Sequence, residues 1–178
     1  MGYQIVHRPG SWAAKQSTSI AIGALCAFVL VAGSNLQASA ASLSRSTDIA
    51  APASAVWSMI GPFCAIKDWH PAIGTCAVDG GNPPTRTLVT KDGKTTFVEP
   101  QTARSETEHF YSYTFKASPF PVTHYMGTIW VVPTGGRTST VLWTGTYTPL
   151  PGKEKDANDA FAGVYEAGLA ALKSKFDH

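Results

Sequence analysis

The sequence predicts an α+β domain in which a curved antiparallel sheet of seven strands wraps around one long C-terminal helix, with two short helices after the first strand. Two observations carry this. From Gly74 to Thr148 the chain passes through six extended segments rich in Thr, Val, Tyr and Trp, separated by short turn-forming stretches. Then Phe161, Val164, Tyr165, Gly168, Leu169, Leu172 and Phe176 recur at spacings of three and four, one apolar stripe on a helix spanning Asp156 to Phe176. Hairpin neighbours pair antiparallel, and the lone helix must bury its stripe against one face of the sheet. A strongly curved sheet gripping a helix leaves a hollow between them.

The first forty residues read as an export leader. His7, Arg8 and Lys15 precede an uncharged run from Gln16 to Gly33, and Gln37-Ala38-Ser39-Ala40 follows as a small-x-small cleavage pattern. The apolar centre, Ile20 to Ala32, falls short of the ~20 residues that a spanning helix needs. Cleavage near Ala40 is expected, giving a periplasmic or secreted protein with no stable membrane anchor; an uncleaved anchor is the alternative.

Residues 41–178 form the domain proper. Leu43 to Ile49 alternates as a first strand. Ala51-Pro52 opens a helix, because proline's missing N–H costs nothing in the first turn, and Val56, Trp57 and Ile60 give it an apolar stripe. Gly61-Pro62 breaks it. Phe63 to Asp68 is a second short helix, stopped at His70-Pro71, because a residue before proline is pushed out of the helical region. The later strands are Gly74 to Asp79, Thr85 to Lys91, Thr95 to Arg104, Glu108 to Ala117, Val122 to Val132 and Arg137 to Thr148. Asp92-Gly93 between two of them is a hairpin signal. Asp156 is the expected N-cap of the final helix, with Asp159 adding acidity to its first turn.

This domain carries 12 Lys/Arg and 12 Asp/Glu, so its formal charge is zero. That balance, without a basic cluster, argues against nucleic-acid binding and against an electrostatic membrane anchor. Its two cysteines, Cys64 and Cys76, are expected to be bridged in an oxidising compartment, two buried thiols being the alternative. No metal-binding or nucleotide-binding motif is present, and no cofactor is expected.

Alternation sorts the strand residues. Val141, Trp143, Gly145 and Tyr147 share one face, with Thr140, Thr144 and Thr146 on the other. The same reading turns Tyr125, Gly127, Ile129 and Val131 inward, with Tyr111, Tyr113 and Phe115, and leaves Met126, Thr128 and Trp130 outside. So many inward Tyr and Trp favour a ligand cavity over a filled core, since their polar tips need partners when buried.

The stretches "IAAPASAVWSMIGPFCAIKDWHPAI", "RTLVTKDGKTTFVE", "TVLWTGTY" and "AFAGVYEAGLAALKSKF" resemble, in that order, the START-like (SRPBCC) superfamily, close to its polyketide cyclase/dehydrase and lipid-transport branch. The resemblance implies a helix-grip fold with a cavity for a small hydrophobic ligand such as a lipid, polyketide or aromatic or isoprenoid metabolite. It does not imply an enzyme. By analogy with helix-grip proteins, Arg86 and Glu99 reach the cavity and orient the polar end of a ligand; a cross-strand surface pair is the alternative. The expected ligand-binding set is Trp69, Arg86, Glu99, Tyr113, Tyr125, Trp143, Phe161 and Tyr165, with Trp69 lining or lidding the cavity. His70 and Glu99 are the candidate catalytic residues, and a helix-capping role is the plainer reading of His70. Gly163 and Gly168 are expected where the last helix nears the sheet or leaves room for a ligand. A non-catalytic binding protein is the leading expectation. A cyclase/dehydrase-type enzyme is the rival, and an accessory protein acting on a periplasmic oxidation system, hence with a protein partner, is the third.

Overall fold

The computed structural model describes residues 39–177. The expected leader lies outside them except for its last two residues. Strand β1 (Ala41–Ile49) is followed by helices α1 (Ala53–Ile60) and α2 (Ile66–Trp69). Six strands come next: β2 (Ile73–Val78), β3 (Thr85–Thr90), β4 (Thr96–Ser105), β5 (Phe110–Thr114), β6 (Val122–Gly135) and β7 (Thr138–Pro149). Helix α3 (Glu154–Ser174) closes the fold. The sheet order is β1-β7-β6-β5-β4-β3-β2, all seven strands antiparallel. Among the described residues no helix is long and apolar enough to cross a membrane.

The inner and outer faces follow the period-two pattern. Tyr111, Tyr113, Tyr125, Ile129, Val131, Val141, Trp143 and Tyr147 are buried, whereas Met126 and Trp130 are exposed. The stripe on α3 presents Phe161, Tyr165, Gly168, Leu169 and Leu172, with Ala157 added at its start. Register shifts in β2, β4 and β6 bend the sheet, as bulges do. The shift in β6 spans His124, whose φ is +52°.

Several boundaries differ from expectation for local reasons. Pro52 is the N-cap of α1 rather than a helical residue, and its carbonyl accepts the Ala55 and Val56 N–H groups. Helix α3 starts earlier than expected: Lys153 is its N-cap, and Asp156 lies in the first turn, where its carboxylate meets the Lys153 ammonium at 2.8 Å. Gly163 is exposed, with open space where a Cβ would be, so it marks no approach to the sheet. Gly168 does: a Cβ there would lie 2.6 Å from His70 Cδ2 and 2.9 Å from Trp143 Cζ3.

Candidate functional site

Between the sheet and α3 lies a cavity of about 220 Å³. Its inner end is closed by Tyr113, Tyr125, Trp143, Phe161 and Tyr165. Its mouth is marked by the less buried Ala72, Thr90, Thr95 and Val164. The walls are mostly flat aromatic faces: Tyr125 stacks on Phe115 at 4.0 Å and on Phe161 at 4.8 Å, and Trp143 stacks on Tyr165 at 4.4 Å.

Cross-strand register explains the polar patch at the closed end. Tyr113, Gly127 and Gly145 are direct partners across β5, β6 and β7. The two glycines leave the inner face bare, and tyrosine hydroxyls occupy the vacated space. A Cβ at Gly127 would overlap the Tyr125 hydroxyl, and one at Gly145 the Tyr165 hydroxyl. Tyr125 Oη sits 3.2 Å from Tyr113 Oη and 2.8 Å from Tyr165 Oη, and Trp143 Nε1 donates to Tyr113 Oη at 3.0 Å. Burial raises all three phenol pKa values above the ordinary tyrosine range, so each keeps its proton.

Arg86 and Glu99 face each other across β3 and β4, and both are buried, not a surface pair. Arg86 Nε donates to Glu99 Oε2 at 2.6 Å and Nη1 donates to the Phe63 carbonyl at 2.6 Å. The Phe63 and Tyr113 rings flank the guanidinium at 4.2 and 4.8 Å. Burial pushes the Glu99 carboxyl up, and the Arg86 charge beside it opposes the push. Burial acts most strongly against the charge on Arg86, yet Glu99, Tyr111 and Tyr113 together outweigh it and the guanidinium is held charged. Only Glu99 of the pair lines the cavity. Arg86 is covered by the residues that hold it, which corrects its expected place against a ligand.

Trp69 needs the same correction. It is buried with its ring edge-on to Trp143 at 5.7 Å, behind the cavity wall rather than in it. The next residue, His70, does line the cavity, but both ring nitrogens are engaged. Nε2 donates to the Val164 carbonyl at 3.0 Å, and Nδ1 accepts the Ala72 N–H at 3.2 Å. Burial lowers its pKa, so the ring is neutral and fastens the end of α2 to α3. With its one acceptor nitrogen used, this histidine has no free base to offer a substrate.

The structure thus places Glu99, Tyr113, Tyr125, Trp143, Phe161 and Tyr165 around one hollow. The sequence reading missed Leu88, Phe97 and Phe120 in the walls, while Phe115, read as inward, joins them there. Phe97 was within reach, two residues before Glu99 on the same strand face. Phe120 lies in a loop and carries no periodic signal. Cys64 and Cys76 are bridged, with Cα atoms 5.5 Å apart, tying the turn before α2 to β2. Among the described residues no three His, Cys, Asp or Glu side chains come together as a metal site would require.

A curved antiparallel sheet gripping a helix over an aromatic-lined hollow defines a helix-grip protein. The chain belongs to the family described as polyketide cyclase / dehydrase and lipid transport, which it matches over residues 40–177, within the START-like (SRPBCC) superfamily. Among solved structures, XoxI from Bacillus cereus is 36% identical, with a TM-score of 0.72 over 76% of this chain and 95% of that one. A truncated norcoclaurine synthase from Thalictrum flavum is 18% identical, with a TM-score of 0.64 over 79% of this chain and 96% of that one. The Zhui aromatase/cyclase from a Streptomyces species is 15% identical, with a TM-score of 0.63 over 78% and 94%. The last two share the fold alone. No curated protein matches the chain.

Proposed function

We propose that this protein binds a small, largely aromatic molecule in the cavity between sheet and helix, and that it does so as a carrier or sensor rather than as an enzyme. The carrying observation is the cavity itself, walled by stacked aromatic rings and furnished with a few buried polar groups, which is the usual composition of a small-molecule site. Its size sets the ligand class. An engineered apolar cavity of about 150 Å³ takes up benzene, so about 220 Å³ suits a substituted single ring better than a long acyl chain. The engagement of both His70 nitrogens favours binding over acid–base chemistry.

Export is part of the proposal. The leader pattern, the bridge between Cys64 and Cys76 and a family match that starts at residue 40 all support it. Native mass spectrometry of the protein isolated from the extracytoplasmic fraction of its own host tests both parts. A mature chain starting near Ala41 with a small non-covalent adduct is the expected result. An intact leader would sink the export reading. An adduct-free protein whose melting temperature no aromatic probe raises would sink the ligand reading.

The rival, a cyclase-type enzyme, draws support from one feature, the cavity-lining Glu99 whose carboxyl is pushed up by burial. On that reading Glu99→Gln abolishes turnover and leaves ligand uptake intact.

A further inference from the structure

The hydroxyl cluster has a fixed polarity at its Tyr113 end. Each phenol has one proton to give and two lone pairs to receive with. Trp143 Nε1 can only donate, and it fills one lone pair of Tyr113 Oη. The angles between Tyr125 and Tyr113 allow Tyr125 to donate to Tyr113. In that arrangement the Tyr165 proton bridges the 2.8 Å contact between Tyr125 and Tyr165; in the other, Tyr125 donates to Tyr165, whose proton goes to the Thr144 carbonyl at 3.4 Å. In both arrangements Tyr113 accepts the Trp143 N–H, and its own proton meets no protein acceptor among the described residues. Tyr113 is 2% exposed and lines the cavity. A buried donor in that position requires a partner, and accepting the Trp143 N–H makes it a stronger donor.

We infer that Tyr113 Oη is the cavity's specificity-determining donor, and that the ligand is a small neutral aromatic molecule whose carbonyl oxygen accepts its proton. This rests on the ligand-binding reading above and narrows its chemistry. Neutrality follows from the wall. Its one acidic group is Glu99, and no lysine or arginine lines the hollow among the described residues. A ligand carboxylate would lie beside that acidic group with no cation in the wall to pair with it.

Acetophenone, ethylbenzene and benzoate share one ring and differ in the group presented to Tyr113. Their affinities for wild-type protein and for Tyr113→Phe, measured by NMR titration, form a double-mutant cycle. Tyr113→Phe should weaken acetophenone roughly five- to tenfold more than ethylbenzene, and benzoate should bind the wild type more weakly than acetophenone. Tyr113→Phe also strands the buried Trp143 N–H, which costs stability; carbonyl-13C acetophenone bound to the wild type supplies a second readout that needs no variant. Its carbonyl resonance should lie downfield of its position in hydrocarbon solvent. Equal losses for acetophenone and ethylbenzene, a hydrocarbon-like carbonyl shift, or a preference for benzoate would each overturn this assignment and leave the cavity reading standing. Failure of every probe to bind the wild type would instead overturn the cavity reading itself.

Discussion

At the scale of single residues, the buried charges and His70 carry the sharpest consequences. Arg86 is wholly buried and depends on Glu99 and the Phe63 carbonyl for its hydrogen bonds. Removing one partner of such a pair leaves the other charge buried alone, at a cost of about 3–5 kcal/mol. Glu99→Leu should therefore lower the urea midpoint severely, whereas the double variant Arg86→Met/Glu99→Leu should recover most of the loss. Two equally damaged proteins would show that the pair matters for its shape, not its charge. His70 makes a prediction about pH. Its pKa is lowered from 6.5 in the folded state, chiefly by burial. Below the unfolded value the unfolded chain binds the extra proton, so this contribution to stability is fully present above about pH 6.5 and is lost as the pH falls through the lower folded value. Stability should decline as the pH falls below about 6.5, by at most about 1.4 kcal/mol per unit, and His70→Asn should flatten that slope. An unchanged slope in the variant would assign the effect to other groups.

At the scale of elements, glycine placement separates what packing demands from what it tolerates. Gly163 and Gly168 lie on the same helix, five residues apart. Gly163→Ala, with open space around it, should stabilise the protein by about 0.8 kcal/mol through helix propensity alone. Gly168→Ala should destabilise it by about 1–3 kcal/mol, because the new methyl meets the His70 and Trp143 rings. Thermal melts of the two variants moving in the same direction would sink this account of α3. The sequence hinted at the difference, since Gly168 falls on the apolar stripe and Gly163 off it, but what a methyl group would meet at either position is decided by the opposite wall. The strands were more legible. Two-residue alternation assigned Tyr113, Tyr125, Trp143 and Tyr147 to the inner face, where they lie. What alternation cannot supply is register. That Gly127 and Gly145 are opposite one another, and so make room for a hydroxyl cluster, depends on the bulge at His124 and on β6–β7 pairing. The same limit explains Trp69 and Arg86. Both are buried, but whether a buried side chain touches the hollow or lies behind its wall is decided by neighbours far along the chain.

Over the whole molecule the sheet is held unevenly, and this determines where it should open first. Strands β1, β7 and β6 pair along most of their length and pack on α1 and α3. Strand β2 is an edge, paired only with β3, and most of its residues are exposed. Yet β2 and the adjoining α2 supply Ile66, His70 and Ile73 to the cavity wall. The bridge from Cys64 to Cys76 joins these two weakly held pieces to each other. Closing a loop of that size stabilises a protein by about 3 kcal/mol in the chain-entropy model, but position matters as much as size here. Local opening of an edge is cheaper than global unfolding, so the bridge should act first on the corner and on the site it encloses. Reduction, or Cys64→Ser/Cys76→Ser, should speed amide hydrogen exchange in β2 and α2 well before it alters β6 and β7, and should weaken binding of aromatic probes while the folded core persists. Exchange that quickens uniformly from β1 to β7 would show that the bridge restrains only the unfolded chain. Exchange confined to the corner would identify the Phe63 to Cys76 segment as the part of the cavity wall whose order depends on an oxidising environment.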